Sequence, residues 1–348
     1  FAPHRVMHIP HLQVLFSGWM PIGMWGLHRY FATGSRRALG VFAIAFALLG
    51  LSNGYFLYFF SVPVVVVVAG SLVRAAFAAP GPGRLRWPWR EVAEIGAAGA
   101  VVLAAIAPAA MAYVRVREAY GFHRAPDEIV AFSARWSDYL RIPAGLRAWS
   151  GLLPVGEGER MLFPGLVIVV LAALALVGMR RGTWPRATPR PSSWTWHLAL
   201  YGAILVLACW LSFGPGVPGP YRVLLPLVPG LDGLRVPARF VVVAALALSV
   251  IGSAGASWLL SRLRPRAALA TALVLGAAIM IEGYGGPVFL EPFRHDQPAR
   301  GQLNAWIRGG PPGGVLELPA AGPEFEPFTM VAQYNALHHR HPVVNGYS

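Results

Sequence analysis

About eight apolar stretches, each long enough to cross or nearly cross a bilayer, run along this chain, and no soluble fold needs so many. A transmembrane helix takes about 20 mostly apolar residues. Read in order, the stretches are Leu12 to Phe31, Arg37 to Leu51, Tyr55 to Phe77, Val92 to Tyr113, Leu162 to Met179, Trp194 to Phe213, Val236 to Leu260 and Ala267 to Tyr284. With 56% apolar residues, only 13% charged residues and a mean hydropathy of +0.53, the composition lies outside the soluble range. Lipid is the solvent for most of this chain.

The formal charge of +14 is spread over short connections between apolar spans, so it does not describe a nucleic-acid-binding face. All 29 basic residues are Arg. They gather on every second connection: Arg29, Arg36 and Arg37; Arg74, Arg84, Arg86 and Arg90; Arg180, Arg181, Arg186 and Arg190; Arg262, Arg264 and Arg266. By the positive-inside rule those connections face the cytoplasm. Membrane lipid is therefore the first partner, and a multi-pass membrane protein is expected. The single cysteine, Cys209, lies within a span and permits neither an intrachain disulfide nor a cysteine metal site.

This threading predicts an α-helical polytopic membrane protein with a transmembrane bundle over residues 1–284 and external loops at 114–161 and 214–235. Residues 285–348 differ in kind. Their apolar runs shorten, Gly and Pro punctuate, and Gly314 to Pro319 reads as a strand after a helical Gln302 to Arg308, the start of an extracytoplasmic α/β domain. Both ends read as cut, since Phe1 is not an initiator Met and Ser348 follows the turn signal Asn345-Gly346-Tyr347.

The spans are nearly free of charge, so a site is expected at the outer face, where Arg, His, Asp, Trp and Tyr lie close to the membrane. The segment Phe213 to Phe240 is the most distinctive. Its prolines prevent a regular helix, while the apolar group Val223 to Val228 favours burial in an interfacial or partly re-entrant loop. Arg222, Arg235 and Arg239 stand at the head of the following span. Their guanidinium forks suit a lipid-linked phosphate or pyrophosphate, or they anchor the helix end and pair with Asp232. At the start of the chain His4, Arg5, His8 and His11 share one helical face, which suits ligand hydrogen bonding, acid/base work or packing; Pro10 interrupts the helix that metal ligation needs. His338, His339 and His341 are a second weak metal pattern. No metal or other cofactor is expected. Among the carboxylates of the long loop, Asp138, framed by Trp136, Tyr139 and Arg141, is the candidate general base, with a salt bridge to Arg135 or Arg141 as its structural alternative.

Several short motifs carry a resemblance. They are F-A-P-H-R-V-M-H-I-P-H-L-Q at Phe1 to Gln13 with W-M-P at Trp19 to Pro21, S-N-G-Y at Ser52 to Tyr55, S-D-Y-L at Ser137 to Leu140, and G-E-R-M-L-F-P-G at Gly158 to Gly165. L-R-V-P-A-R-F at Leu234 to Phe240, V-L-E-L-P at Val315 to Pro319 and V-N-G-Y-S at Val344 to Ser348 complete the series. Together the chain resembles bacterial membrane proteins related to GT-C glycosyltransferases, of the YfhO-like and dolichol-phosphate-mannose mannosyltransferase-like groups. The resemblance implies a GT-C-like helical bundle that takes a sugar from a polyprenyl-phosphate donor and transfers it on the outer face of the cytoplasmic membrane. It also implies that the principal catalytic acid lies in a first external loop preceding Phe1, with Asp138 the candidate within the chain. Arg222, Arg235, Arg239, His8 and His11 are the candidates for the donor phosphate. Two other functions fit the same features: a transporter or flippase of lipid-linked sugars, and a non-catalytic membrane anchor for the external domain. A transporter calls for broken helices or midplane charge, and apart from Pro63 these spans are nearly uninterrupted.

Overall fold

The computed structural model describes residues 3–8, 12–77, 87–121, 123–182, 191–286, 298–318 and 326–344. The chain divides into two compact units, Phe1–Gly286 and Pro287–Ser348. The α-helices of the first are α1 (Leu12–Leu15), α2 (Trp19–Thr33), α3 (Arg36–Ser52), α4 (Gly54–Phe77), α5 (Trp89–Tyr120), α6 (Pro126–Ala131), α7 (Leu166–Arg180), α8 (Pro191–Ser212), α9 (Pro220–Leu224), α10 (Val241–Leu260) and α11 (Pro265–Glu282). Short 3-10 turns, among them Pro3–His8, Trp136–Leu140 and Pro237–Phe240, join them.

Among the described residues, five helical segments are long and apolar enough to span a membrane: Gly54–Phe77, Trp89–Tyr120, Trp194–Ser212, Pro237–Leu260 and Pro265–Glu282. The other three expected spans form shorter helices, α2, α3 and α7, of 15, 17 and 15 residues. At 1.5 Å per residue these rise about 22 to 26 Å, less than the roughly 30 Å hydrocarbon core. The expected span from Leu12 breaks at Phe16–Gly18, ahead of α2. Pro63 and Pro108 lie inside α4 and α5, and both remain single helices. The long loop starts later than expected, because α5 continues past Tyr113 to Tyr120 and ends at Gly121 in the left-handed conformation.

At the centre of the bundle, α10 packs against α7 and α8, while α2 pairs with α3 and α3 with α4 and α5. Half of the apolar window of α10 is buried inside the protein, against 6% for α11, so α11 keeps nearly all its apolar surface for lipid. Small residues set the tightest crossing: a Cβ at Gly255 of α10 would overlap the Leu171 carbonyl oxygen of α7, so only glycine permits this approach. Phe56, Phe59 and Phe60 of α4 and Phe240 at the head of α10 are fully buried; Phe59 and Phe240 meet with ring centroids 4.4 Å apart.

The second unit pairs α12 (Pro298–Arg308) with α13 (Glu326–His339). The helix expected over Gln302 to Arg308 is present. The strand expected from Gly314 is not: Val315 makes one isolated parallel bridge to Val343, and no strand occurs among the described residues. One bridge leaves the polar backbone on either side to turns and side chains, and the neighbouring Glu317 accepts a hydrogen bond from the buried Asn335 amide at 3.1 Å. The fold is thus helical throughout the described residues.

Candidate functional site

One end of the first unit collects the start of the chain, the connection after α5, the proline-rich connection after α8, and the end of α11. Hydrogen bonds tie these segments together. The Arg235 backbone N–H donates to the Tyr55 hydroxyl at 3.2 Å, and Tyr58 at the head of α4 donates to the Pro229 carbonyl at 2.9 Å. Arg117 in the last turns of α5 grips Asp232 with both nitrogens, at 2.9 and 2.5 Å. The prolines keep 213–240 from forming one helix, so it folds as short turns whose carbonyls are taken by side chains: Trp210 Nε1 donates to Pro218 at 3.1 Å and Arg222 Nε to Pro215 at 2.6 Å. Burial of the apolar group Val223 to Val228 is partial, because Val223 and Leu227 are exposed while Leu224, Leu225 and Val228 pack on the core.

The three candidate arginines part company here. Arg222 is exposed and spends its guanidinium on its own loop. Arg235 lies 4.8 Å from the centre of the Phe132 ring and 3.9 Å from the Glu128 carboxylate, which Arg124 also pairs at 3.2 Å. Arg239 is the buried one. Its Nε donates to Glu159 Oε2 at 3.1 Å and its Nη2 to the other carboxylate oxygen, a two-point grip, while its guanidinium sits 5.3 Å from the centre of the Tyr55 ring. Asp232, the expected partner of these arginines, belongs instead to Arg117.

His8 joins this pair, its Nε2 3.7 Å from Glu159 Oε2. His4 is buried in the same 3-10 turn, and its Nδ1 has no hydrogen-bond partner among the described residues. Burial, reinforced by neighbouring His8 and Arg5, lowers the pKa of His4 to about 3, so the ring is neutral at ordinary pH. Arg5 turns its guanidinium to the Leu15 carbonyl. His11 lies outside the described residues. Among the described residues no three His, Cys, Asp or Glu side chains gather as a metal-binding group.

Asp138 has partners of its own. It is buried, and its carboxylate accepts the Arg135 backbone N–H at 2.8 Å and lies 3.4 Å from Arg141 Nε. Its backbone carbonyl accepts from Leu162 at 3.0 Å, and the adjacent Tyr139 hydroxyl meets Ser212 at 2.9 Å. Burial raises the Tyr139 phenol well above its ordinary range. These contacts make Asp138 a tie between the 136–140 turn and its neighbours.

Two clefts open beside α10. The larger, about 430 Å³, runs between α7, α10 and α11; its wall is apolar apart from Ser249 and Ser253, with Pro3 and Glu282 at one end. The smaller, about 220 Å³, is lined by His4, Arg5 and His8 together with the start of α2 and shares Ala245 and Ser249 with the first. The Arg239–Glu159 pair meets the smaller cleft through His8, whose Nε2 lies 3.7 Å from Glu159. Between Ala245 and Leu260 the larger cleft follows α10 for about 22 Å. Its volume falls in the range of small-molecule sites. An apolar cleft beside a second one lined by Arg5 and two imidazoles is suited to an amphiphile with an anionic head.

Two carboxylates of this end escaped selection in the sequence. Glu159 was one of several loop acids; the signal was its place in Gly156-Glu157-Gly158-Glu159, a turn with Gly158 at φ +53°. Glu282 is a lone acid within an apolar span, the kind of residue that membrane burial makes conspicuous. Its two oxygens accept the backbone N–H groups of Leu166 and Val167 at 2.8 and 2.9 Å, satisfying the first turn of α7 from another helix. In the second unit His339 is buried, and its Nδ1 accepts the His341 N–H at 3.1 Å.

Comparison with known protein families, with curated proteins and with solved structures returns no match.

Proposed function

We propose that this chain is a GT-C-like membrane glycosyltransferase that takes a sugar from a polyprenyl-phosphate donor at the outer face of the bacterial cytoplasmic membrane. The observation that carries the reading is the apolar cleft along α10, which shares Ala245 and Ser249 with a second cleft lined by His4, Arg5 and His8, the last of these 3.7 Å from the Glu159 partner of Arg239. The prenyl chain lies along α10 and the phosphate near Arg239 and His8. On this reading α2, α3 and α7 complete about eight crossings by local thinning of the bilayer around short helices, the arginine-rich connections face the cytoplasm, and residues 285–348 begin an extracytoplasmic α/β domain.

Transfer requires that the acceptor oxygen bond to the anomeric carbon and its hydroxyl proton pass to a base as the anomeric carbon–phosphate oxygen bond breaks and polyprenyl phosphate departs with the electron pair. The cations supply the second half. The proton acceptor within this chain is Asp138, once its contact with Arg141 opens.

Purified full-length protein in nanodiscs, given polyprenyl-phosphate sugars, tests this. Replacing Arg239 by Ala is expected to lower turnover about a hundredfold or more, the scale of a lost transition-state contact, whereas Arg222→Ala stays within a few fold. Turnover unchanged in Arg239→Ala removes the site assignment. Movement of the lipid between leaflets without sugar transfer assigns the chain to transport, and failure to bind the lipid at all leaves it an anchor.

A further inference from the structure

The Arg239–Glu159 pair is costly to build. Two opposite charges taken out of water recover their desolvation only through close, two-point contact, and hydrophobic residues in the same space would often serve stability as well. Here the two partners come from elements of unequal rigidity. Arg239 is fixed: it stands in the buried turn Pro237–Phe240 at the head of α10, against the Tyr55 ring. Glu159 sits on the 157–160 turn, where Glu157 and Gly158 are exposed and no regular helix or strand holds the backbone.

A carboxylate and a phosphate present the same paired oxygens to a guanidinium fork. His8 stands 3.7 Å from one of those oxygens. The buried His4 lines the same cleft as His8, and its Nδ1 has no hydrogen-bond partner among the described residues.

We propose that Arg239 and His8 form a seat for a phosphate-bearing group and that the Glu159 carboxylate is a tethered occupant of that seat, displaced when phosphate enters. The proposal rests on the lipid-phosphate reading above and adds its regulation: the chain holds its own competitor, so the seat stays neutralised until a ligand with more negative charge arrives. The displaced Glu159 swings outward on the Gly158 turn.

The test compares wild type, Glu159→Gln, Glu159→Asp and Arg239→Ala in phosphatidylcholine nanodiscs, using undecaprenyl phosphate and inorganic phosphate as separate probes, with affinity and thermal stability as readouts. Removing the competitor is expected to tighten phosphate binding by about tenfold or more, since the buried charge of Arg239 is left uncompensated. Glu159→Gln alone is expected to lose thermal stability and to regain it with the ligand. Glu159→Asp, whose shorter side chain reaches less far, falls between. Arg239→Ala binds neither probe. Tightening with the prenyl phosphate only identifies a lipid headgroup site, and equal tightening with inorganic phosphate identifies a site for the phosphate alone. If wild type transfers sugar and binds the lipid while folded Glu159→Gln and Glu159→Asp bind no more tightly, the competitor proposal fails and the glycosyltransferase reading stands. If no folded variant binds phosphate in either form, both fail. Should Glu159→Gln not fold, Glu159→Asp alone decides by the direction of its affinity change.

Discussion

Glu282 does for α7 what a capping side chain normally does from the residue just before a helix, except that it comes from α11, more than a hundred positions away. Buried donors left without an acceptor cost about 1 to 3 kcal/mol each. Glu282→Ala is accordingly expected to destabilise the bundle by about that amount, seen as a lower melting temperature in nanodiscs, and Glu282→Gln, which keeps one carbonyl acceptor, by less. His4 makes a pH prediction. Its folded pKa, about 3, lies below the ordinary 6.5, so the unfolded chain binds the extra proton between these values. Its contribution is complete above about pH 6.5 and is lost as pH falls toward 3, at up to about 1.4 kcal/mol per pH unit. Thermal denaturation of His4→Gln across that window should show a flatter acid limb than wild type, and identical limbs would refute it. At this scale the sequence was informative about Arg239 but not about its partner. A basic residue heading an apolar span is conspicuous along the chain, whereas the pairing with Glu159 spans 80 positions and leaves no period or spacing to read. Asp138 attracted attention through its aromatic neighbours, yet its oxygens serve a local turn, a use that composition alone does not separate from catalysis.

Helices were the most legible elements, because an uninterrupted apolar run in lipid has only one way to satisfy its backbone. Their ends were less so. Hydropathy fades at Arg115 and Arg117, but α5 continues to Tyr120 because the Arg117–Asp232 pair holds its last turns against the 214–235 connection. The strand expected at Val315 illustrates the opposite error: a short apolar run bounded by Gly314 and Pro319 is also compatible with an extended turn, and only a pairing partner makes it a strand. Close helix approach is written in small residues, whose spacing does not say which neighbour they meet. At Gly255 it is α7. Gly255→Val should push α7 and α10 apart, lowering the melting temperature and narrowing the cleft that both helices line. Gly276→Val, on the same cleft but with nothing within 4 Å of its added Cβ, should leave stability within about 0.5 kcal/mol of wild type.

Away from the candidate site, several described arginines lie near the ends of their helices. The opposite end gathers Arg36 and Arg90 around Glu94, at 2.8 and 3.1 Å, with Tyr30 donating to the same carboxylate at 2.9 Å. Arg74 and Arg262 lie over Trp196 and Trp258 there, at 5.6 and 4.2 Å, an arrangement suited to the headgroup layer. Which end faces the cytoplasm is open to direct measurement. In a Cys209→Ala background, Leu152→Cys is expected to react with a membrane-impermeant thiol reagent on intact cells, and Leu263→Cys only after permeabilisation; the reverse result inverts the topology.

Between its two ion clusters α5 acts as a ruler. From Glu94 to Arg117 it rises about 34 Å, a little more than the roughly 30 Å of hydrocarbon in a typical bilayer. One continuous helix fixes that separation, so neither cluster can shift toward its own interface without moving the other. A thicker membrane therefore draws one set of charges into hydrocarbon, and a thinner one exposes the apolar turns between them. The protein is matched to a narrow band of acyl-chain lengths, and lipid thickness bears on how firmly Arg117 of α5 holds Asp232 of the proline-rich loop.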